Sequence, residues 1–271
     1  MGFRILLGKN QKGWGRPGKI VKLFRKKQKQ EHKVMREIER RGEQVQPEYH
    51  RRTPECAHPE HWSMYDSMTA EVEVLEFLRT MVTTVKPELV VETGTFLGVS
   101  TLWIAEALKH NGFGRVVTCE YDPVVFAKAK ERIDGSGLSQ WIECRNESSL
   151  EMKVEGTIDL LFSDSDMPIR EQEVRHFLPQ VNPNGVILMH DASSHLKIVR
   201  EAALKLEREG LISVVLLPTP RGLVVAQKRE NRGAVSASDN GAAGEAENGG
   251  RTATGGARPA ERALGGIIQP Y

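Results

Sequence analysis

Long apolar runs are absent from this chain of 271 residues: none approaches the roughly 18 consecutive apolar positions that a bilayer-spanning helix needs. Cysteine is scarce too. Three of them, an odd number at scattered spacing, exclude a disulfide framework and fit a reducing cytoplasm. The N-terminal stretch MGFRILLGKNQKGWGRPGK holds too short an apolar patch for a signal peptide. These absences lead us to expect a soluble, cytoplasmic protein. Net charge is also small, at +2, and says nothing about partners by itself.

Charge distribution is more telling. Residues 1–52 carry sixteen Lys and Arg against five acidic residues, which leaves the remainder net acidic. Within this part, KIVKLFRKKQKQEHKVMREIERRGEQ reads as a basic helix, a solvated one packed on the domain or one that meets nucleic acid or an anionic membrane surface. From Asn231 onward, Gly, Ala and polar residues dominate and large apolar side chains almost vanish, so a disordered tail is expected there. The expected organisation is a basic extension and loop over 1–60, a domain over 61–229 and a tail over 230–271. Oligomeric state stays open, with a homodimer among the options.

Between Met68 and Lys228 strand and helix alternate. AEVEVLEFLRTMVTTV has apolar residues at helical spacing and is stopped by Pro87. The β-branched run LVVET follows, then a glycine loop and the helix STLWIAEALKHNG, with Ser100 or Thr101 near its cap and Gly112 at its end. RVVTCEY, SQWIECRN, IDLLFSD and GVILMHD read as further strands, with helices between them, one of them opened by Pro123. ISVVLLPTPRGLVVAQK reads as two strands joined by a Pro-rich turn, so the last strand runs antiparallel to its neighbour. The expected fold is α/β, a doubly wound Rossmann-like sheet that is mostly parallel, with an antiparallel C-terminal hairpin strand. In such sheets ligands bind beyond the C-terminal strand ends, where strand order reverses. Trp103, Ile104, Leu108 and Phe126 are expected in the core, and Cys119 and Cys144 buried and inert.

The loop VVETGTFLGVST, Val90 to Thr101, decides the ligand class. A dinucleotide loop needs G-x-G-x-x-G, but here Phe96 stands where backbone would approach a pyrophosphate. No Gly-Lys-Ser/Thr follows, so a P-loop is excluded. A carboxylate of Glu92 facing the loop would repel phosphate and favour an ammonium or sulfonium.

These residues resemble the first motif of the class I S-adenosylmethionine-dependent methyltransferases, in particular the small-molecule O-methyltransferase branch, and the resemblance runs from about Met68 to Lys228. It implies S-adenosyl-L-methionine as cofactor, held by Glu92, Gly94, Thr95, Gly98 and Ser100. Glu120, at the end of VVTCEYDP, would accept both ribose hydroxyls. Glu147 and Ser148 in ECRNESSLE would lie at the adenine, and Asp164 would close the fourth strand of the family's sheet. The acceptor implied is a hydroxyl of a phenolic, sugar or natural-product small molecule. An RNA-binding protein or RNA methyltransferase using the basic N-terminus is the alternative, without a base-stacking aromatic surface or a base-methylation motif to support it.

The cation-dependent members that the chain resembles, those acting on catechols and caffeoyl-CoA, hold Mg²⁺ through three oxygen ligands. Carried over by position, Asp164 and Asp191 are the metal ligands for Mg²⁺ or another divalent ion. Ala192 replaces the third ligand, and Met167 and Pro168 stand where the family has a lysine. Without a metal, His190 or His195 becomes the expected general base. Asp164, His190, Asp191 and His195 are thus the catalytic candidates. The run HRRTPECAHPEHW brings His50, Cys56, His58 and His61 close in sequence, at a spacing that matches no familiar zinc finger. As a plain loop it would fold over the ligand, with Trp62 as a cover.

Overall fold

The computed structural model describes residues 45–229. The basic N-terminal helix and the C-terminal tail expected from composition lie outside the described residues. Two short strands, β1 (Gln46–Pro47) and β2 (Ser63–Met64), pair antiparallel ahead of the main sheet.

The first long helix, α1 (Val72–Val85), forms where Leu75, Leu78 and Val82 recur at helical spacing and are buried. It ends at Lys86 in the left-handed conformation, just before Pro87. Strand β3 (Leu89–Thr93) is buried at every position, as a strand covered on both faces must be. It leads through the glycine loop into α2 (Val99–Asn111), which ends on left-handed Gly112. The expected side-chain cap on α2 is absent. Gly98 occupies the cap position, and Thr101 turns instead to the buried Glu92.

Strand β4 (Arg115–Cys119) is followed by α3 (Pro123–Gly135), where Asp122 caps the helix through the backbone N–H groups of Val124 and Val125. Then come β5 (Ile142–Arg145), β6 (Ile158–Ser163), α4 (Arg170–Phe177), β7 (Val181–His190), α5 (Lys197–Arg208), β8 (Ile212–Leu217) and β9 (Leu223–Lys228). The sheet order is β5-β4-β3-β6-β7-β9-β8. Strands β3 to β7 are mutually parallel, while β9 lies antiparallel between β7 and β8. The α/β fold and its antiparallel C-terminal hairpin are as expected.

Alternation along each strand sends side chains to two apolar layers. Val90, Val116, Leu160 and Phe162 face α1 and α2, while Val91, Val117, Leu161 and Ile187 face α4 and α5. Trp103, Ile104 and Leu108 are core residues, whereas Phe126 is only half-buried. Cys119 is buried and Cys144 half-buried, and burial pushes their thiols up to about 12 and about 11. Trp62 is partly buried against the layer of α1 and α2. Chain order reverses between β3 and β6, so the crevice above their C-terminal ends is where a ligand belongs.

Candidate active site

A cavity of about 620 Å³ opens at that crevice, within the size range of small-molecule sites. Its first wall is the glycine loop. Gly94 and Thr95 both donate backbone N–H groups to the Cys119 carbonyl at 3.0 Å, and the Phe96 N–H reaches Glu120 Oε2 at 2.9 Å. The loop thereby locks onto the end of β4. Gly94 has φ +85°, and a Cβ there would lie 2.5 Å from the Asp164 carbonyl oxygen, so only glycine lets the two strand ends approach. Glu120 also accepts from the Asp122 N–H at 3.0 Å, which orients its carboxylate at the cavity edge.

The cavity brings together Gly94, Thr95, Ser100, Glu120, Glu147, Ser148, Asp164 and Asp191 of the expected residues. Met68, Thr69 and Ala70 cross one side of it. Four expected residues are placed elsewhere. Gly98 begins α2 behind the loop. Glu92 shares the face of β3 that meets α2, where it accepts hydrogen bonds from Thr101 and, at 2.7 Å, from Thr118. It therefore does not face the cavity as expected. Strand alternation is the reason, since the next residue, Thr93, takes the other face. Burial pushes the Glu92 carboxyl up to about 7, against the hydroxyl bonds that favour its charge.

His195 is exposed and lines a separate cavity of about 490 Å³ beside His50 and Arg221, bonded to Ser193 Oγ at 3.0 Å. His190 is fully buried, with Nε2 2.6 Å from Glu71 Oε2 and Nδ1 3.1 Å from Asp164 Oδ1. Burial disfavours its charge, but the carboxylates of Asp191, Asp164 and Glu71 outweigh that and hold its pKa well above the usual histidine range. An imidazolium already donating from both nitrogens has no lone pair for a substrate proton. The general-base role expected of His190 thus has no support in this geometry, and His195 stands away from the cavity. Glu71 responds in kind: burial raises its pKa, but the His190 charge and hydrogen bond bring it down to about 2.

Two residues that sequence reasoning passed over complete the site. Arg170, only 2% exposed, donates from Nη2 to Asp164 Oδ1 at 3.1 Å and to Asp191 Oδ2 at 3.0 Å, and from Nε to the Ser165 carbonyl at 2.9 Å. Its Nη1 bonds the His190 carbonyl. Glu173, also buried, accepts from four hydroxyls, those of Thr93, Ser149, Ser163 and Ser165, tying the ends of β3 and β6 to the loop after β5. A signal for both lay in REQEVRHF. Arg170 and Glu173 share a helical stripe with the apolar Val174 and Phe177, which marks them as inward-facing.

Asp191, the residue after β7, has φ 62°, an unusual conformation for a residue with a side chain. Burial pushes its carboxyl up, but the charges of His190, Arg170 and Arg221 pull it lower still, so it is anionic at the cavity wall. One ligand atom from each of Asp164, His190 and Asp191 lies within 4.8 Å of the others, close enough in spacing to hold an ion. Chemistry argues otherwise. The Arg170 guanidinium already bridges the two carboxylates, and His190 is engaged at both nitrogens. The donor set does not fit a divalent ion.

A family model described as a methyltransferase domain matches residues 91–192, from the glycine-loop strand to the residue after Asp191. The sheet has the class I methyltransferase fold, and residues 91–192 match that domain model. Among curated relatives, a catechol O-methyltransferase of Niastella koreensis is 29% identical over 132 residues, 46% of this chain and 59% of that protein. A putative O-methyltransferase of Mycobacterium sp. (strain JLS) is 28% identical over 155 residues, 51% of this chain and 70% of that one. Solved structures share the fold of the methyltransferase domain. The O-methyltransferase of Bacillus cereus in complex with SAH superposes with a TM-score of 0.53 at 21% identity, covering 60% of this chain and 84% of that chain. An SAH-bound Podospora anserina methyltransferase gives 0.55 at 20% identity, covering 60% and 80%. No helix among the described residues is long and apolar enough to cross a membrane.

Proposed function

We propose that this protein is an S-adenosylmethionine-dependent O-methyltransferase acting on a hydroxyl of a small molecule. The observation that carries the reading is the cavity at the switch between β3 and β6, where the glycine loop, the carboxylate of Glu120 and the acids Asp164 and Asp191 converge. SAH-bound neighbours with this fold support the cofactor, and curated relatives named O-methyltransferases support the reaction.

Glu120 would accept the ribose hydroxyls, Ser148 and Glu147 would lie at the adenine, and Gly94, Thr95 and Ser100 would border the methionine part with Asp164. Methyl transfer needs little beyond alignment, because the sulfonium is already activated. The acceptor oxygen attacks the methyl carbon, the carbon–sulfur bond breaks, and S-adenosylhomocysteine leaves neutral at sulfur. The acceptor proton passes to a carboxylate or to water. Asp191, on the cavity wall, would accept a hydrogen bond from the hydroxyl and so aim its lone pair. Its lowered pKa makes it a weak base, which assigns it orientation first and proton acceptance after the new bond forms. Because the residues do not fit a divalent ion, no step is routed through one.

The test uses S-adenosylmethionine labelled in its methyl group with phenolic, catechol and sugar acceptors. Label is expected in an ether of at least one acceptor, with transfer abolished in Asp191→Ala. Label transfer to RNA instead would overturn the acceptor class.

A further inference from the structure

Two carboxylates from neighbouring strand ends, Asp164 after β6 and Asp191 after β7, converge at one wall of the cavity. Two adjacent anions out of bulk water repel each other unless a cation stands between them. Here the cations belong to the chain: His190 lies 3.1 Å from Asp164 and 3.6 Å from Asp191, and the group that stands between the two carboxylates is a guanidinium. Arg170 reaches in from the first residue of α4 and places one nitrogen, Nη2, at 3.1 Å from Asp164 and 3.0 Å from Asp191. The remaining contacts of its guanidinium are to the carbonyls of Ser165 and His190, both of them backbone, so the group is held by the strand ends themselves. With 2% of its surface exposed, it cannot swing out to solvent without opening the site.

We infer that the Arg170 guanidinium occupies, as a built-in cation, the position between Asp164 and Asp191 that a divalent ion would take, so that this protein works without one. The inference rests on the reading of the cavity as the methyl-transfer site. Arg170 is a positioning residue: it fixes the two carboxylates and touches neither methyl donor nor acceptor in this account. A consequence for acceptor choice follows. A metal with open coordination positions can hold two adjacent oxygens of a diol, whereas a guanidinium already bonded to two carboxylates and two carbonyls has no ligand to exchange. Nothing at this wall then favours a vicinal diol over a single hydroxyl.

Manganese(II), which is visible by electron paramagnetic resonance and takes hard oxygen ligands, is the probe. The full chain is used in a His58→Ala/His61→Ala background, because His58, Glu60 and His61 form an exposed cluster that also has metal-ligand spacing. The background protein is expected to bind no Mn²⁺ that Asp191→Asn removes. Adding Arg170→Ala should create one site, at least roughly tenfold tighter than any weak binding before, since a unit positive charge has been taken from beside the ion. Adding Asp191→Asn to that variant should abolish the site. A background protein that binds one Mn²⁺ lost on Asp191→Asn would overturn the inference, as would a folded Arg170→Ala protein that gains nothing. Arg170→Gln replaces Arg170→Ala if the latter does not fold. If neither folds, the background titration alone decides, by the same criterion. Calorimetry with S-adenosylhomocysteine on the same samples separates the two readings: absent cofactor binding sinks the methyltransferase reading whatever Mn²⁺ does.

Discussion

Glu92 shows how one side chain can be right in type and different in direction. Its place after Val90 and Val91 marked it as the acid of the glycine loop, but strand alternation turns it into the layer beneath α2, against Thr101 and Thr118. A carboxyl there is held neutral up to about pH 7, against 4.5 in an unfolded chain. Across that window the unfolded chain has released a proton that the folded chain keeps. Stability therefore falls as pH rises from about 4.5 to 7, by about 3 kcal/mol in total, and this contribution is level above it. Glu92→Gln cannot ionise. Denaturant unfolding at several pH values should show the variant gaining on the native protein by about that amount over the window. Two parallel pH profiles would mean that Glu92 ionises as it does in water. The same scale explains why Arg170, Glu71 and Glu173 went unread. A charged residue in a helical segment looks solvated until the partner that buries it is known, and those partners come from β6, β7 and the loop after β5.

At the scale of elements, the strands were the most legible part. LVVET, IDLLFS and their neighbours are β-branched or apolar runs bounded by turn residues, and their ends agree with expectation within a residue or two at β3, β4 and β6. Helix α4 was legible as a helix but not as the element that carries the guanidinium between Asp164 and Asp191 and the buried carboxylate hub of the site. Glu173 gathers hydroxyls from β3, β6 and the loop after β5, so its loss acts on several elements at once. Glu173→Ala leaves four hydroxyls without their acceptor. Each orphaned buried group costs about 1–3 kcal/mol before relaxation and water entry, so a loss of at least about 3 kcal/mol is expected. Chemical denaturation measures it, and a loss under about 1 kcal/mol would show that the hub is not what joins these strand ends. The ribbon of β1 and β2 was not legible at all, because two-residue strands carry no periodicity.

For the whole molecule, chain order places the site more firmly than any single motif does. Reversal between β3 and β6 opens the crevice, and Gly94, Glu120, Asp164 and Asp191 sit at the ends of four strands around it. The metal question could not be read from sequence, since Asp164 and Asp191 are compatible with either cation until Arg170 is seen between them. What holds regardless is that the crevice should take an adenosyl ligand whose ribose is gripped by Glu120. Isothermal calorimetry with S-adenosylhomocysteine tests that most directly, on the native protein and on Glu120→Ala. Two hydrogen bonds to a charged acceptor are worth about 1.5–3 kcal/mol each in stability measurements, so the variant should bind at least roughly 100-fold more weakly at equal stoichiometry. No heat of binding with the native protein, or equal affinity in the variant, would contradict the account.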